Sequence, residues 1–319
     1  MSKKNNSEIC LYLTELTSHA LLDNNKIKNG NYLISVDALK VDWQHEFCNQ
    51  LGYSKKSLPW NKLRALQFDI DSEFKTLACC DPVLMQMTHR GAYLWGQDQL
   101  SFSKEDVIRI IAQINQQLMS DDECFYLLNN NQWLYTNKKH IKLNQESFEK
   151  YIGKDMFGFS YQGLDGLYWN KLATEIQMLL KQMMDYQGLT QVPPENIVNV
   201  HFWGDTSDNL TYPFEKIEDA NQCVFSSDYL IESFFKEAGI TNYKLEKFSE
   251  IFHEKSNKST LDKIILIDKT QNNDISIISQ VLQELDQEKV DMVKIITQDK
   301  VIKISVKQTF WQKIFKYFN

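Results

Sequence analysis

The second part of the chain alternates short β-prone runs with helical segments, and this alternation limits the possible folds more than any other feature. Residues 223–225, 263–267 and 292–297 are apolar runs typical of buried strands, and helical segments separate them. A last run, residues 301–306, follows a polar turn of hairpin type. Strands joined through helices form mainly parallel sheets. We therefore predict an α/β fold here, with a mainly parallel sheet flanked by helices and closed by an antiparallel edge.

The first part of the chain combines helices and strands in another way. A β-prone run at residues 74–87 is followed by a helix that begins after Ser103, whose side chain can cap it. Two further runs flank residues 129–131, three asparagines that tolerate the positive φ of a hairpin turn. A long helix at residues 169–184 precedes the prolines at 193–194. These signals predict an N-terminal α+β lobe.

Length and composition are those of an ordinary globular protein of about two domains. The chain has 319 residues, of which 43% are hydrophobic and 24% charged. We predict an N-terminal lobe over residues 1–195 and a C-terminal lobe over residues 196–319. The net charge of −7 offers no general basic face for a phosphate backbone, which argues against nucleic-acid binding.

Cysteine usage and hydropathy predict a cytoplasmic location. The six cysteines form no C-x-x-C pair, and the first residues lack the apolar run of a signal peptide. The adjacent Cys79 and Cys80 are read as buried thiols rather than as a soft-metal site, because no other Cys or His lies near them in the sequence. No apolar stretch approaches the roughly 20 residues of a membrane-spanning helix.

The end of the chain predicts a basic amphipathic helix. Residues 310–318 place five aromatic side chains and an isoleucine among lysines. Such a helix can dock on its own sheet or make a peripheral contact with an anionic membrane surface. We expect docking, and we keep the membrane contact as the alternative.

The usual motifs of phosphate and metal chemistry are missing from the sequence. It contains no G-x-x-x-x-G-K-[ST], no G-x-G-x-x-G and no G-x-S-x-G pattern. The six histidines are far apart, and none forms the i, i+4 pair of a zinc helix. We therefore expect no metal ligands and no cofactor, and the sequence assigns no catalytic residue.

Several polar residues near predicted strand or helix ends are candidates for ligand binding. Asp81 precedes Pro82 at the expected end of a strand, where it can bind a metal or cap a turn. His89 and Arg90 precede a glycine and can contact an anion or lie in a solvated loop. Glu175 lies on the long helix, where it is either a structural clasp or an acid in a site.

The segment His201-Phe-Trp-Gly-Asp205 has the strongest character of a site. It closes a β-prone run that begins at residue 197, and in open α/β sheets ligands gather at the carboxyl ends of strands. His201, Trp203 and Asp205 are therefore candidate ligand-binding residues. The alternative is an aromatic strand exit in which Gly204 makes the turn.

Three short blocks carry a resemblance to a known family. They are Cys-Asp-Pro-Val at residues 80–83, Glu-Ile-Gln-Met-Leu at 175–179 and Asn-Val-His-Phe-Trp-Gly at 199–204. With them the chain resembles the bacterial RpfE-type regulatory proteins, which often carry the name cofactor-independent phosphoglycerate mutase. Leu84, Thr174 and Asp205 stand where the family is expected to have other residues.

The mutase name implies a second, more distant resemblance. Residues 202–204, 224–226 and 237–239 look like a segment of the archaeal-type mutases of the alkaline phosphatase superfamily. In that superfamily, Asp and His hold two metal ions that activate a Ser or Thr nucleophile. This sequence has no Asp-Gly after its first strand, no Asp-His pair, and no histidine after His253. The resemblance thus implies a partly alkaline-phosphatase-like fold and common ancestry more than mutase activity.

These observations lead to two hypotheses. The first is an RpfE-type regulatory protein that binds a protein or a small molecule and has lost metal-dependent phosphoryl transfer. The alternative is a phosphoglycerate mutase-like isomerase, or a phosphatase, with Mn or Zn at a non-standard site. Its scattered ligands would be Asp81, His89, Glu175, His201 and Asp205.

Overall fold

The chain folds into two compact units. The computed structural model describes residues 8–13, 32–38, 43–51, 53, 57–95, 97, 100, 102–187, 196–206, 222–226, 228–240, 242–244, 263–268, 281–283, 292–296 and 300–306. Unit 1 comprises Met1–Leu58 and Pro213–Asn319, and unit 2 comprises Pro59–Tyr212. Within the described ranges no helix is long and apolar enough to cross a membrane. The helix predicted at residues 310–318 lies outside them.

The division between the units differs from the predicted lobes, residues 1–195 and 196–319. The N-terminal strand pairs with strands from the C-terminal part of the chain, so it belongs to unit 1. Residues 196–205 pair in register with residues 79–86 and belong to unit 2. Sequence order misplaced both strands because their partners are more than a hundred residues away.

Unit 1 is a mixed sheet with two described helices. Its strands are β1 (Glu8–Leu13), β2 (Tyr32–Ala38), β9 (Gln222–Ser226), β10 (Asn242–Lys244), β11 (Lys263–Asp268), β12 (Met292–Ile296) and β13 (Lys300–Val306), and its helices are α1 (Trp43–Leu51) and α5 (Tyr229–Ala238). The sheet order is β10-β9-β11-β1-β12-β13-β2. The first five strands run parallel, and β13 and β2 pair antiparallel at the edge.

Sequence signals at the ends of α5 position this helix in unit 1. Asp228 caps the helix, because its carboxylate accepts from the N–H groups of Leu230 and Ile231. Gly239 ends the helix with φ +77°, a left-handed conformation that favours glycine. The apolar face of the helix is buried, and Phe235 stacks edge-on against Phe47 of α1.

Unit 2 is an antiparallel sheet with helices packed on it. Its strands are β3 (Thr76–Thr88), β4 (Gly91–Trp95), β5 (Glu123–Asn129), β6 (Gln132–Asn137), β7 (Asn144–Gln145) and β8 (Asn196–Asp205), and its α-helices are α2 (Trp60–Ala65), α3 (Lys104–Gln117) and α4 (Gly166–Gln187). The sheet order is β5-β6-β3-β8-β7, and β4 also pairs with β3. The fold of the whole chain is therefore mixed α/β, with parallel strands only in unit 1 among the described elements.

Local signals explain several elements of unit 2. Ser103 caps α3, because its hydroxyl oxygen accepts from the N–H of Asp106. The asparagines at 129–131 join β5 and β6 into the predicted hairpin. The apolar faces of α3 and α4 pack on the sheet, with α3 against β5 and α4 against β8. The side chain of Asn115 in α3 accepts from the N–H of Phe125 and donates to its C=O. These two bonds satisfy backbone groups on the open edge of β5.

The long strand β3 organises the sheet because it changes neighbours at its centre. One edge pairs with β6 over residues 76–80 and with β4 over residues 84–88. Pro82 lies in the gap between these two partners, where the missing N–H of proline breaks no strand-to-strand bond on that side. Gln97 fills the gap by donating to the carbonyl oxygens of Pro82 and Asn131. The prediction that the strand stops at Asp81 is therefore wrong, since the strand continues through Pro82.

Candidate functional site

The carboxylate of Asp81 is the centre of a buried polar group in unit 2. Arg64 Nη1 and Nη2 donate to Asp81 Oδ1 and Oδ2 at 2.6 and 3.0 Å. Trp203 Nε1 donates to Oδ2 at 2.6 Å. Asp81 is only 1% exposed and Arg64 2%. Because α2, β3 and β8 each supply one member, we call Arg64, Asp81 and Trp203 the buried triad.

The buried triad has further contacts that fix the guanidinium group. Nη1 of Arg64 also donates to the carbonyl oxygen of Trp133 at 2.7 Å, and the group lies 5.2 Å from the ring centre of Trp203. Burial alone would lower the pKa of Arg64, but the negative charge of Asp81 raises it above its ordinary value. Arg64 therefore stays charged, and both carboxylate oxygens of Asp81 are engaged inside the protein.

The neighbouring thiols are chemically quiet. Cys79 and Cys80 are fully buried, as expected from the sequence. Burial raises the pKa of the Cys79 thiol to about 12 and also raises that of Cys80. The reactive thiolate form is therefore scarce at neutral pH.

His201 lies beside Asp81 in the sheet and is also buried. The two residues are register partners between β8 and β3. His201 Nε2 lies 2.9 Å from the carbonyl oxygen of Glu146, and because a carbonyl only accepts, Nε2 carries the proton. Tyr151, Phe159 and Tyr161 surround the imidazole at ring distances of 5.4, 5.7 and 6.1 Å.

This environment favours the neutral imidazole. Burial lowers the pKa of His201 below its ordinary value, and the Glu146 carbonyl and the charge of Asp81 oppose the shift only in part. The ring fills an aromatic layer of the core, in the middle of an antiparallel strand. The segment 201–205 closes β8 as expected, but β8 is an antiparallel strand and His201 lies within it.

The other end of β8 holds Gly204 and Asp205. Gly204 has φ +103°, a conformation that favours glycine, and it pairs with Gln145 of β7. Asp205 is exposed, and its backbone carbonyl accepts from the side chain of Asn61 at 3.0 Å. Asn61 also donates to the carbonyl of Leu77, so it joins α2 to β3 and β8.

His89 and Arg90 lie at a separate place, the turn between β3 and β4. Both side chains are exposed. The hydroxyl of Thr88 accepts from the N–H of Arg90 and donates to the carbonyl of Gly91, which closes the turn. Gly91 has φ +154°, and a Cβ there would lie 2.5 Å from the carboxylate of Asp155, so only glycine fits.

Glu175 lies at a third place, on the outer part of α4. It is half exposed and forms an ion pair with Lys171 on the same helix at 3.7 Å. Gln177 points elsewhere, because its side-chain oxygen accepts from Asn199 of β8 at 3.1 Å. Glu175 borders an open groove of about 610 Å³ between α4 and the end of α3, lined by Gln117, Leu118, Glu175, Gln177, Met178, Leu179, Lys181, Gln182 and Asp185. We call this the α3–α4 groove.

The seven candidate residues thus separate into different places. Asp81, His201 and Trp203 lie together in the core, and Asp205 ends the same strand. His89 and Arg90 lie on a hairpin turn, and Glu175 lies on a helix surface. Among the described residues, no three His, Cys, Asp or Glu side chains are grouped so that they could hold a metal ion.

Two polar groupings were missed by sequence reasoning. Arg64 is one, although it stands one helical turn after the buried Trp60, and a charged residue at an apolar helix position is a readable signal. The other is a cluster around Glu123, which accepts from the hydroxyls of Tyr135 and Tyr168 and from the amide of Asn137. Burial would raise the pKa of Glu123, but hydrogen bonds from Tyr168, Tyr135 and Ser120 together lower it. No local pattern signals this cluster, because its members come from β5, β6 and α4.

Comparison with solved structures finds five matching chains, among them two at low identity. The cofactor-independent phosphoglycerate mutase from Thermoplasma acidophilum matches with TM-score 0.43 and 11% identity, over 93% of this chain and 89% of that one. The PH0037 protein from Pyrococcus horikoshii matches with TM-score 0.47 and 10% identity, over 96% and 89%. No family model and no curated protein sequence matches. At this level the similarity concerns the mixed α/β fold and carries no assignment of activity.

Loss of Arg64 should leave a buried, unpaired carboxylate. We expect Arg64→Met to lower the free energy of unfolding by about 3–5 kcal/mol. The double variant Arg64→Met/Asp81→Asn should lose less, because its neutral amide needs no counter-charge. Urea denaturation of both proteins measures the difference. Equal loss in the two variants would contradict a stability role for the charge pairing.

Protonation of His201 should destabilise the folded protein at mildly acidic pH. The folded protein favours the neutral ring, so stability is retained above the ordinary pKa of 6.5 and is lost as the pH falls below it. We expect the stability advantage of the wild type over His201→Gln to shrink between about pH 7 and pH 5. Urea midpoints across this range test the idea, and parallel profiles for the two proteins would refute it.

Proposed function

We propose that this chain is a regulatory binding protein of the RpfE type, without two-metal phosphoryl transfer. The observation that carries the proposal is the state of Asp81. Its two carboxylate oxygens accept three hydrogen bonds from Arg64 and Trp203, within a region that is nearly inaccessible to solvent. A metal ion or a phosphorylated substrate would have to displace these partners and leave the Arg64 cation unpaired, which is energetically costly.

His201 supports the same interpretation. A histidine ligand presents an unprotonated ring nitrogen to a metal ion. Because Nε2 of His201 carries its proton toward the Glu146 carbonyl, only Nδ1 could bind a metal, and no three His, Cys, Asp or Glu side chains among the described residues are grouped to hold one. The imidazole of His201 is part of the core. Glu175 lies elsewhere, on the surface of α4, and His89 lies on the turn between β3 and β4. The scattered-ligand enzyme thus lacks a shared cleft among the described residues.

The function must then depend on exposed side chains, and the α3–α4 groove is a suitable binding surface. Its apolar part is Leu118, Met178 and Leu179, and its polar part includes Glu175 and Asp185. Met178 is 68% exposed although it is a large apolar side chain. A concave surface with apolar walls and a few polar groups is the usual form of a binding site. The partner is a protein segment or a small molecule.

The absence of phosphoryl transfer can be tested directly. Purified protein supplied with 3-phosphoglycerate and Mn²⁺ should produce 2-phosphoglycerate no faster than a protein-free control. Metal analysis of the same preparation should find no stoichiometric Mn or Zn. An active phosphoglycerate mutase assayed in parallel shows that the assay works. Metal-dependent turnover that disappears in His201→Gln would instead support the enzyme alternative.

The groove can be tested by comparing matched surface variants. Met178→Ser removes the exposed apolar side chain of the groove, and Leu167→Ser changes an equally exposed side chain of α4 outside it. We expect affinity capture from a cell extract to recover a partner with the wild type and with Leu167→Ser, at a yield reduced about tenfold with Met178→Ser. Equal recovery with both variants would contradict a binding role for the groove.

A further inference from the structure

One surface of unit 2 combines exposed apolar side chains with positive charge, away from the α3–α4 groove. It consists of the turn between β3 and β4, residues 87–92, and of the neighbouring segment 152–158. We call these two segments the hairpin tip. Phe157 is 79% exposed, Ile152 46% and Met87 44%.

Backbone pairing holds the two segments of the hairpin tip together. The N–H of Met156 donates to the carbonyl of Ala92 at 2.6 Å, and the N–H of Gly153 donates to that of Leu94 at 2.8 Å. The carboxylate of Asp155 accepts from the N–H groups of both Ala92 and Phe157, at 3.1 and 2.9 Å. Phe157 is therefore anchored by its backbone beside the hairpin, while its ring projects into solvent.

The charges of the hairpin tip are opposite to that of the chain. Arg90 and Lys154 are exposed cations. The carboxylate of Asp155 is the acidic group in these two segments. The whole chain carries a net charge of −7, so an anionic surface would repel most of the molecule and attract the hairpin tip.

Backbone N–H groups of the hairpin tip already have hydrogen-bond acceptors within the tip, as a poorly hydrated environment requires. The N–H groups at Arg90, Ala92 and Phe157 donate to side chains of the tip itself. The glycines at 153 and 158 have φ +72° and +80°, with open space where a Cβ would stand, so the turns that carry Ile152 and Phe157 protrude. Immersion in a lipid headgroup region would leave none of these donors unpaired.

We propose that the hairpin tip is a peripheral binding site for anionic lipid surfaces. Phe157, Ile152 and Met87 enter the boundary between headgroups and acyl chains, and Arg90 and Lys154 contact lipid phosphates. A protruding apolar tip suits a soft lipid surface, whereas a protein partner would have to supply a matching pocket. This role does not depend on the binding function proposed for the α3–α4 groove.

Co-sedimentation of the full chain with vesicles tests the site. We expect binding to phosphatidylcholine vesicles containing about 30% phosphatidylglycerol, and little binding to phosphatidylcholine alone. Arg90→Gln should reduce binding about fivefold, since one charge near such a surface contributes roughly 1 kcal/mol. Phe157→Ser should reduce it by about the same factor, because it removes an apolar side chain that enters the lipid boundary. Leu167→Ser, which changes an equally exposed side chain outside the tip, should bind like the wild type, and circular dichroism checks that every variant is folded.

Three results would overturn the proposal. The first is absence of wild-type binding to the anionic vesicles. The second is unchanged binding by Phe157→Ser and Arg90→Gln, combined with loss of binding on substitution of Phe315 in the C-terminal basic segment. The third is equal binding of the hairpin tip to soluble polyglutamate, which would assign the tip to an acidic protein partner instead of a membrane.

Discussion

The burial of one ion pair is the constraint on which unit 2 depends. Removing a guanidinium and a carboxylate from water costs several kcal/mol for each ion, and mutual attraction offsets this only with complete hydrogen bonding. The Arg64–Asp81 pair approaches that condition through two bonds within the pair, the Trp203 indole and the Trp133 carbonyl, and Arg64 Nε is the one buried polar atom of the pair that has no hydrogen-bond partner. Because these groups come from α2, β3, β6 and β8, the pair is satisfied only when all four elements are correctly placed.

Features encoded within a few residues could be predicted from the sequence. Examples are the Ser103 cap and the asparagine hairpin after β5. Strand partners could not be predicted, because pairing depends on residues distant in sequence. The strand at Asp81-Pro82 illustrates the limit. Pro82 lies between the pairing with β6 and the pairing with β4, within one long strand. No local sequence pattern distinguishes such a change of neighbour from the end of a strand.

Polar residues beside glycine or proline were taken from the sequence as site candidates, and this reasoning had mixed success. It selected Asp81, His201 and Trp203, which do lie close together, but their polar atoms are engaged with each other and with the backbone. It missed Arg64, whose charge makes the cluster stable. A buried polar cluster and a catalytic cluster share residue types, and only the identity of the partners separates them. Here every strong partner of Asp81 is another part of the same unit.

The hydrogen bonds of Asp81 also indicate which side chains remain available to bind a ligand. A carboxylate that holds an arginine in the core cannot at the same time bind a ligand without breaking the core, so recognition is left to side chains whose loss leaves the fold intact. Phe157 and Met178 are large apolar side chains that the fold does not bury, and they lie on separate surfaces. Phe157 lies beside Arg90 and Lys154, whereas the carboxylates beside Met178 form ion pairs with lysines. Exposing such side chains gains nothing for stability, and an apolar side chain in water favours association. Two exposed apolar surfaces with different charged neighbours therefore select different partners.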